Sequence, residues 1–518
     1  MRIPQLAASA FACAFAASLS AQTAGFGFGA YTTIPGAVPG YLAIGDVTGD
    51  ARDDLVELGT GTSGVDGFRL FVQQADGTLA APVVVSIGKP LAGALASLAL
   101  ADVDGDGVKD VALGYSNFQV GMPGNGVAVV RRNGSGGWTA LAAASTKRAA
   151  MLATLDVDRD GRTDVVALAP DEGFAVYRLT SGGAWFSAAG APAAPAGVAR
   201  RLAAGDLDGD GIADLAAVSA PAAGGNATLS VWRHDGLSAL LPAVTYPLAG
   251  IANSGGLALG DIDGDTLGDA VVANAAPTAP ALWSLHQNGS GTLDAPVATT
   301  TSAAPGLVFA LDLDRDGSTD LAAMHDANSA TLTYRLQGVA GETAVPLAPA
   351  NRYLPGDVAF GDLDGDGCTD AAVSSKYSNI VGSSASVGIV HGYGCTPNAD
   401  LAASAVADGA TGEAEVAVAH RGGTLATATL SVALRVSSKA KIDVPPDCDA
   451  LIRLPPVRPG MITRSYVCDA GTLAPGERRA FVFGVTPGYA ESVSVEASGD
   501  VVETDWSNNG AEAGFGKK

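Results

Sequence analysis

One nine-residue pattern, D-x-D-x-D-G-x-x-D, recurs seven times and constrains this chain more than any other feature. The copies begin at Asp46, Asp102, Asp156, Asp206, Asp261, Asp312 and Asp362, at intervals of 56, 54, 50, 55, 51 and 50 residues. A merely acidic, solubilising surface has no reason to keep such spacing. A row of like supersecondary units does, each burying its apolar face against the next.

The chemistry follows from the residue types. Carboxylates at positions 1, 3 and 5 of a tight loop converge on one point. A backbone carbonyl at position 7 and a carboxylate at position 9 close the cage. The candidate ligands in loop 1 are Asp46, Thr48, Asp50, Arg52 and Asp54, and in loop 2 Asp102, Asp104, Asp106, Val108 and Asp110. Loop 3 offers Asp156, Asp158, Asp160, Arg162 and Asp164; loop 4 offers Asp206, Asp208, Asp210, Ile212 and Asp214. Loop 5 offers Asp261, Asp263, Asp265, Leu267 and Asp269, and loop 6 Asp312, Asp314, Asp316, Ser318 and Asp320. Loop 7 offers Asp362, Asp364, Asp366, Cys368 and Asp370, the seventh position entering every set through its main chain alone.

Hard oxygen donors on a flexible loop suit Ca²⁺ better than Mg²⁺, which demands a strict octahedron. Up to seven structural Ca²⁺ are therefore expected. An EF-hand would carry Glu at position 12, where loop 2 has Leu113. Charge points the same way. The motif positions 1, 3, 5 and 9 hold 27 of the 53 acidic residues, and seven Ca²⁺ would bring the net charge from −23 to −9. Loop 1, with Thr48 in place of a carboxylate, is expected to bind most weakly.

Each repeat carries four short apolar segments around its loop. One enters it (Leu257 to Gly260) and one leaves it (Asp110 to Leu113); a third holds an aromatic or branched pair such as Val231 and Trp232 or Leu282 and Trp283. A fourth follows a turn such as Asp76-Gly77 or Asn288-Gly289, as in Thr292 to Val297. Four strands per 50–56 residues is the period of a β-propeller blade. The seventh repeat stops after its third strand, Val387 to Tyr393, while a matching segment, Phe28 to Ile34, precedes the first loop. The chain is thus expected to be all-β: a seven-bladed propeller over residues 22–397, closed by its N-terminal strand, which removes unpaired edges.

Over residues 26–397 the repeats resemble FG-GAP/VCBS-type repeats, found in bacterial exported proteins and in the propeller of integrin α-subunits. That resemblance implies structural Ca²⁺ on one face and a role in adhesion or ligand binding. The sequence departs from integrins in lacking RGD and in carrying the Phe-Gly/Gly-Ala-Pro signature only in fragments.

Beyond Asn398 the aspartate loops cease. Alternating runs such as Glu415 to Ala419, Leu430 to Val436, Ala480 to Phe483 and Ser492 to Glu496 predict an Ig-like antiparallel β-sandwich over residues 398–518. With Cys448 and Cys468 in its middle and Asp505 to Asn509 near its end, this segment resembles CARDB-type immunoglobulin-like domains, which implies a spacer or adhesion module.

Residues 1–21 read as a secretory signal: Arg2, an apolar run from Leu6 to Leu19, then small residues up to Ala21. Fourteen apolar residues are too few for a membrane-spanning helix, so an exported protein without a transmembrane segment is expected, secreted, periplasmic or at the cell surface. Cys13 leaves with the signal. The other four cysteines allow three pairings, and sequence order favours Cys368–Cys395 and Cys448–Cys468.

The sequence contains no HExxH, no GxSxG elbow and no phosphate-binding glycine loop. The histidines, His234, His286, His325, His391 and His420, are scattered; His286 and His391 read as packed or surface strand residues rather than bases. A charge of −23 disfavours nucleic acid. The expectation is a non-catalytic, monomeric module that binds a protein or glycan. The alternatives are a lectin stacking sugars on aromatics such as Trp232 and Trp283, or a calcium-dependent polysaccharide lyase.

Overall fold

A computed structural model describes residues 26–515 other than 39, 60–66, 87–94, 116–124, 134–135, 146, 181, 189, 222–223, 252–253, 276–280, 326–330, 348–353, 380–381, 396–399, 409, 423–425, 451–460, 474–477 and 500–509. The signal segment and the Asp505 to Asn509 stretch lie outside the described residues. All regular structure among the described residues is β.

The first Asp loop joins the first two strands of an antiparallel sheet ordered Gly40–Gly45, Asp54–Gly59, Gly67–Phe71 and Val83–Ser86. The same four-stranded unit is built around every later loop, giving seven such sheets among the described residues. In the seventh, Leu354–Gly361, Asp370–Asn379 and Gly382–Val390 are joined by Thr32–Thr33 from the N-terminus, with Thr32 opposite Ile389 and Thr33 opposite Gly388. The N-terminal segment differs from expectation in being split in two. Gly27–Phe28 pairs with Gly392–Tyr393 instead, in a small sheet of its own.

The second strands explain the stacking. Asp110–Tyr115, Asp164–Ala169, Asp214–Ala220 and Asp269–Asn274 are buried at every residue and rich in Ala and Val, as expected of strands covered on both faces. Val56, Leu58, Phe68 and Leu70 of the first sheet pack with Val111, Leu113 and Val130 of the second. Trp232 of the fourth sheet is fully buried and meets Phe174 of the third edge-on, 4.9 Å between ring centres. Leu42, Leu55 and Phe71 of the first sheet share a core with Leu363, Ala372 and Ile389 of the seventh. Each such buried side chain contributes about 1.5–3 kcal/mol.

The C-terminal residues form two further sheets. One orders Asp400–Asp408, Glu413–Gly422, Arg478–Val485 and Ile442–Asp443; the other orders Cys448–Ala450, Met461–Leu473, Ala426–Ser437, Ala490–Gly499 and Gly510–Gly514. They enclose a common core that includes Val416, Val418, Leu430, Val432, Phe481, Phe483 and Val493. Both expected disulfides are present. Cys368 and Cys395 have Cα atoms 5.6 Å apart, and Cys448 lies directly opposite Cys468 across neighbouring strands.

Candidate metal loops

All seven loops share one backbone conformation, and the sequence pattern states its requirements. Positions 4 and 6 have positive φ in every loop. Glycine fills most of them without strain. The four non-glycine residues of positive φ among the described residues, Ala51, Arg159, Thr266 and Arg315, all stand at one of these two positions. The turn is therefore imposed by the loop even where its sequence departs from glycine.

The aspartates hold the turn. The carboxylate of position 1 accepts from amides of the positions that follow, for instance Gly105 at 2.7 Å and Gly107 at 2.9 Å on Asp102. Position 5 accepts from the amide of position 7 in all seven loops, at 2.8–3.2 Å. Position 9 accepts from the amide of position 2 in all seven, from Leu363 N to Asp370 at 2.8 Å to Val47 N to Asp54 at 3.3 Å. Position 2 is apolar in every copy, and Val47, Val103, Leu207, Leu313 and Leu363 are fully buried. An apolar anchor, buried in six loops and half-buried as Ile262 in loop 5, thus draws each position 9 carboxylate under its loop.

Burial and crowding of like charge weaken the acidity of six of these carboxylates, Asp54, Asp110, Asp164, Asp214, Asp269 and Asp320. Desolvation first, then the neighbouring Asp104, push Asp110 up to about 8. Desolvation likewise drives Asp164 and Asp320 to about 7, and Asp54 and Asp214 to about 6. At position 3, Asp104, Asp158, Asp208 and Asp314 each keep Oδ1 buried with no hydrogen-bond partner. Buried anionic oxygens that lack a partner, in an oxygen-rich loop, are the donor set a Ca²⁺ would complete.

Carboxylate oxygens converge within 4.8 Å of one another in Asp102, Asp104 and Asp110, in Asp156, Asp158 and Asp164, and in Asp206, Asp208 and Asp210. Two further groups of the same tightness include a histidine: Asp263 and Asp269 with His286, and Asp364 and Asp370 with His391. These two imidazoles are not the merely packed or exposed strand residues that the sequence suggests. Each lies beside the carboxylates of its loop, and the hydrogen bond that His391 Nδ1 donates to Asp370 raises the pKa of His391. Arginines are drawn in as well. Arg178 reaches both Asp158 and Asp164 at 3.0 Å, Arg131 reaches Asp104, and Arg52 and Arg162 pair with Asp50 and Asp160 of their own loops.

Adjacent loops are also tied together. Lys109 N donates to Asp46 O at 2.9 Å and Thr163 N to Asp102 O at 2.8 Å. Side chains of Gln287 and Gln337 reach carbonyls of Leu207 and Asp261 in the preceding loops. The loops accordingly form a connected acidic row, displayed at the same corner of successive sheets.

A repeat protein whose successive four-stranded sheets each carry an Asp loop suited to a divalent cation is the class these features define. Comparison agrees: a family model described as FG-GAP-like repeat matches residues 46–113 and 156–217. The chain carries FG-GAP-like repeats. No curated protein matches it.

Proposed function

We propose that the chain is an exported, calcium-stabilised module whose seven sheets close into a propeller and whose C-terminal sheets form an Ig-like sandwich, together presenting a non-catalytic surface to a protein or glycan. The observation that carries the calcium reading is the set of buried, pKa-raised position 9 carboxylates beneath unpartnered position 3 oxygens. Ring closure is supported by the N-terminal strand on the seventh sheet and by the core shared between the first and seventh. The two disulfides point to an oxidising compartment, which supports export. No helix among the described residues is long and apolar enough to cross a membrane.

The test is thermal unfolding with excess Ca²⁺ and with chelator, alongside metal analysis. A site saturated at 100 times its Kd adds about 2.7 kcal/mol. The expected result is several bound Ca²⁺ per chain and a large fall in Tm on chelation. An unchanged Tm with no bound Ca²⁺ would reject the reading. The binding role is tested by calcium-dependent retention on glycan and protein arrays; cleavage of a polysaccharide would replace it with the lyase reading.

A further inference from the structure

The seven loops are alike in backbone but differ in the one side chain that the third strand places over them. Strand register defines that position. The residue after position 9 pairs with a third-strand residue, as Leu55 with Phe71, Val111 with Val130, Val165 with Tyr177, Leu215 with Trp232, Ala270 with Leu285, Leu321 with Arg335 and Ala371 with Val390. The next residue along the third strand is then Val72, Arg131, Arg178, Arg233, His286, Leu336 or His391, in loop order. Three loops face a guanidinium, two an imidazole and two an aliphatic chain.

In loop 5, His286 Nδ1 lies 3.0 Å from Asp263 Oδ2 and 3.3 Å from Asp269 Oδ2. That nitrogen is buried, yet it makes a hydrogen bond in acceptable geometry with neither. It is set beside the carboxylates as a third donor to a common point. Loop 7 places an imidazole in the same way, His391 Nδ1 lying 3.3 Å from Asp364 Oδ2 and 3.2 Å from Asp370 Oδ2. Here the nitrogen hydrogen-bonds Asp370, a bond that a bound cation would replace. Arginine in the same position is a fixed cation with no lone pair to give, and valine or leucine has no donor at all. Imidazole changes the chemistry of the site. Nitrogen beside two carboxylates suits a divalent ion of the first transition row, whereas oxygen alone suits Ca²⁺.

We infer that loops 5 and 7 are two sites for a borderline divalent cation of the Zn²⁺ and Co²⁺ class, ligated by His286 with Asp263 and Asp269 and by His391 with Asp364 and Asp370. This rests on the reading of the loops as cation sites, and it separates two of them from the rest by ligand chemistry. His234 and His325, the other histidines whose side chains are described, are otherwise engaged. His234 bonds Val157 O and Gly236 N, and His325 bonds Ala303 O and Thr333.

The experiment titrates the full chain with Co²⁺ in excess Ca²⁺, following the visible absorption of nitrogen-ligated cobalt and then its displacement by Zn²⁺. Two Co²⁺ per chain are expected, one lost in His286→Leu, one in His391→Leu, and both in the double variant. The Tm in Ca²⁺ shows whether each variant is folded. Should a leucine variant fail to fold, the unmodified chain answers by proton NMR, since each bound Co²⁺ must give a hyperfine-shifted, exchangeable imidazole N–H. Absence of Co²⁺ uptake, absence of those resonances, or uptake unchanged in the double variant overturns the inference. A Tm insensitive to calcium would instead reject the calcium reading, and the cobalt result would still be read on its own.

Discussion

The amide of Asp362, the first residue of the last loop, donates to the side chain of Asp53 in the first loop at 2.9 Å. Asp53 is position 8 of its loop, where the other copies have Lys109, Thr163, Ala213, Gly268, Thr319 and Thr369. Loops 1 to 3 are tied at this position through main-chain groups, as in Lys109 N to Asp46 O, and the Thr369 hydroxyl reaches Asp312 O from the seventh loop to the sixth. Between the last and first loops the position 8 carboxylate takes over that task, accepting from the position 1 amide.

Asp53→Ala should therefore destabilise the protein by about 1–3 kcal/mol, the cost of leaving a buried amide without its acceptor. Burial pushes Asp53 up to about 6, so the carboxylate is still largely ionised at neutral pH. Asp53→Asn keeps an acceptor and should cost far less. Denaturant unfolding in Ca²⁺ compares the two; equal losses would show that the bond does not hold the junction.

Metal-free protein should lose stability as pH rises. Asp110 is raised to about 8, Asp164 and Asp320 to about 7, and Asp54 and Asp214 to about 6. Each folded-state value lies above the unfolded one near 4, so the folded chain binds more protons between them. The contribution of these groups is full below about pH 4 and drains away towards pH 8. In chelator, Tm should be higher at pH 5.5 than at pH 8, whereas saturating Ca²⁺ should remove or reverse the slope. Paired thermal scans at the two pH values check the sign.

Much of this was legible because the Asp loop fixes its own surroundings. Nine residues specify the turn, the buried residue at position 2 and the strands on either side, so the four-stranded sheets and the borrowed N-terminal strand could be read directly. The cysteine pairs followed from order along the chain. The cations above the loops did not. The hairpin from the second strand to the third varies in length, so Arg178 follows its position 9 aspartate by 14 residues and His391 by 21. No constant spacing marks them as equivalent; only the register of paired strands does. The split of the N-terminal segment was hidden for a similar reason, since Tyr31 and its neighbours bridge two different sheets.

Loop backbone strain gives a matched pair of substitutions. Thr266 has φ +72° at position 6 of loop 5, and Gly211 has φ +80° at position 6 of loop 4. A β-branched residue in the left-handed region costs roughly 1–2 kcal/mol. Gly211→Thr should cost about that much, since a Cβ there meets nothing within 4 Å and the backbone term acts alone. Thr266→Gly should recover up to about 1 kcal/mol after the entropy of an added glycine is subtracted. Chemical unfolding of both variants in Ca²⁺ checks the opposite signs.

The disulfide from Cys368 to Cys395 spans 27 residues and joins position 7 of the last loop to the segment that follows Gly392–Tyr393. That short strand pairs with Gly27–Phe28, whose neighbour Phe26 lies edge-on to Tyr334 and accepts its hydroxyl at 3.1 Å. The strand pair and the aromatic contact thus pin the N-terminal residues against the last repeat and the sixth sheet, and the disulfide holds the segment they pair with. In the chain-entropy account, closing a loop of this length contributes about 3–4 kcal/mol. Cys395→Ser with Cys368→Ser should lower stability by about that amount while leaving calcium stoichiometry unchanged, because Cys368 enters its loop only through the main chain. Limited proteolysis should then cut first near residues 26–34, as the N-terminal strand frays. Loss of a bound Ca²⁺ in the double variant would show instead that the bond shapes the seventh loop itself.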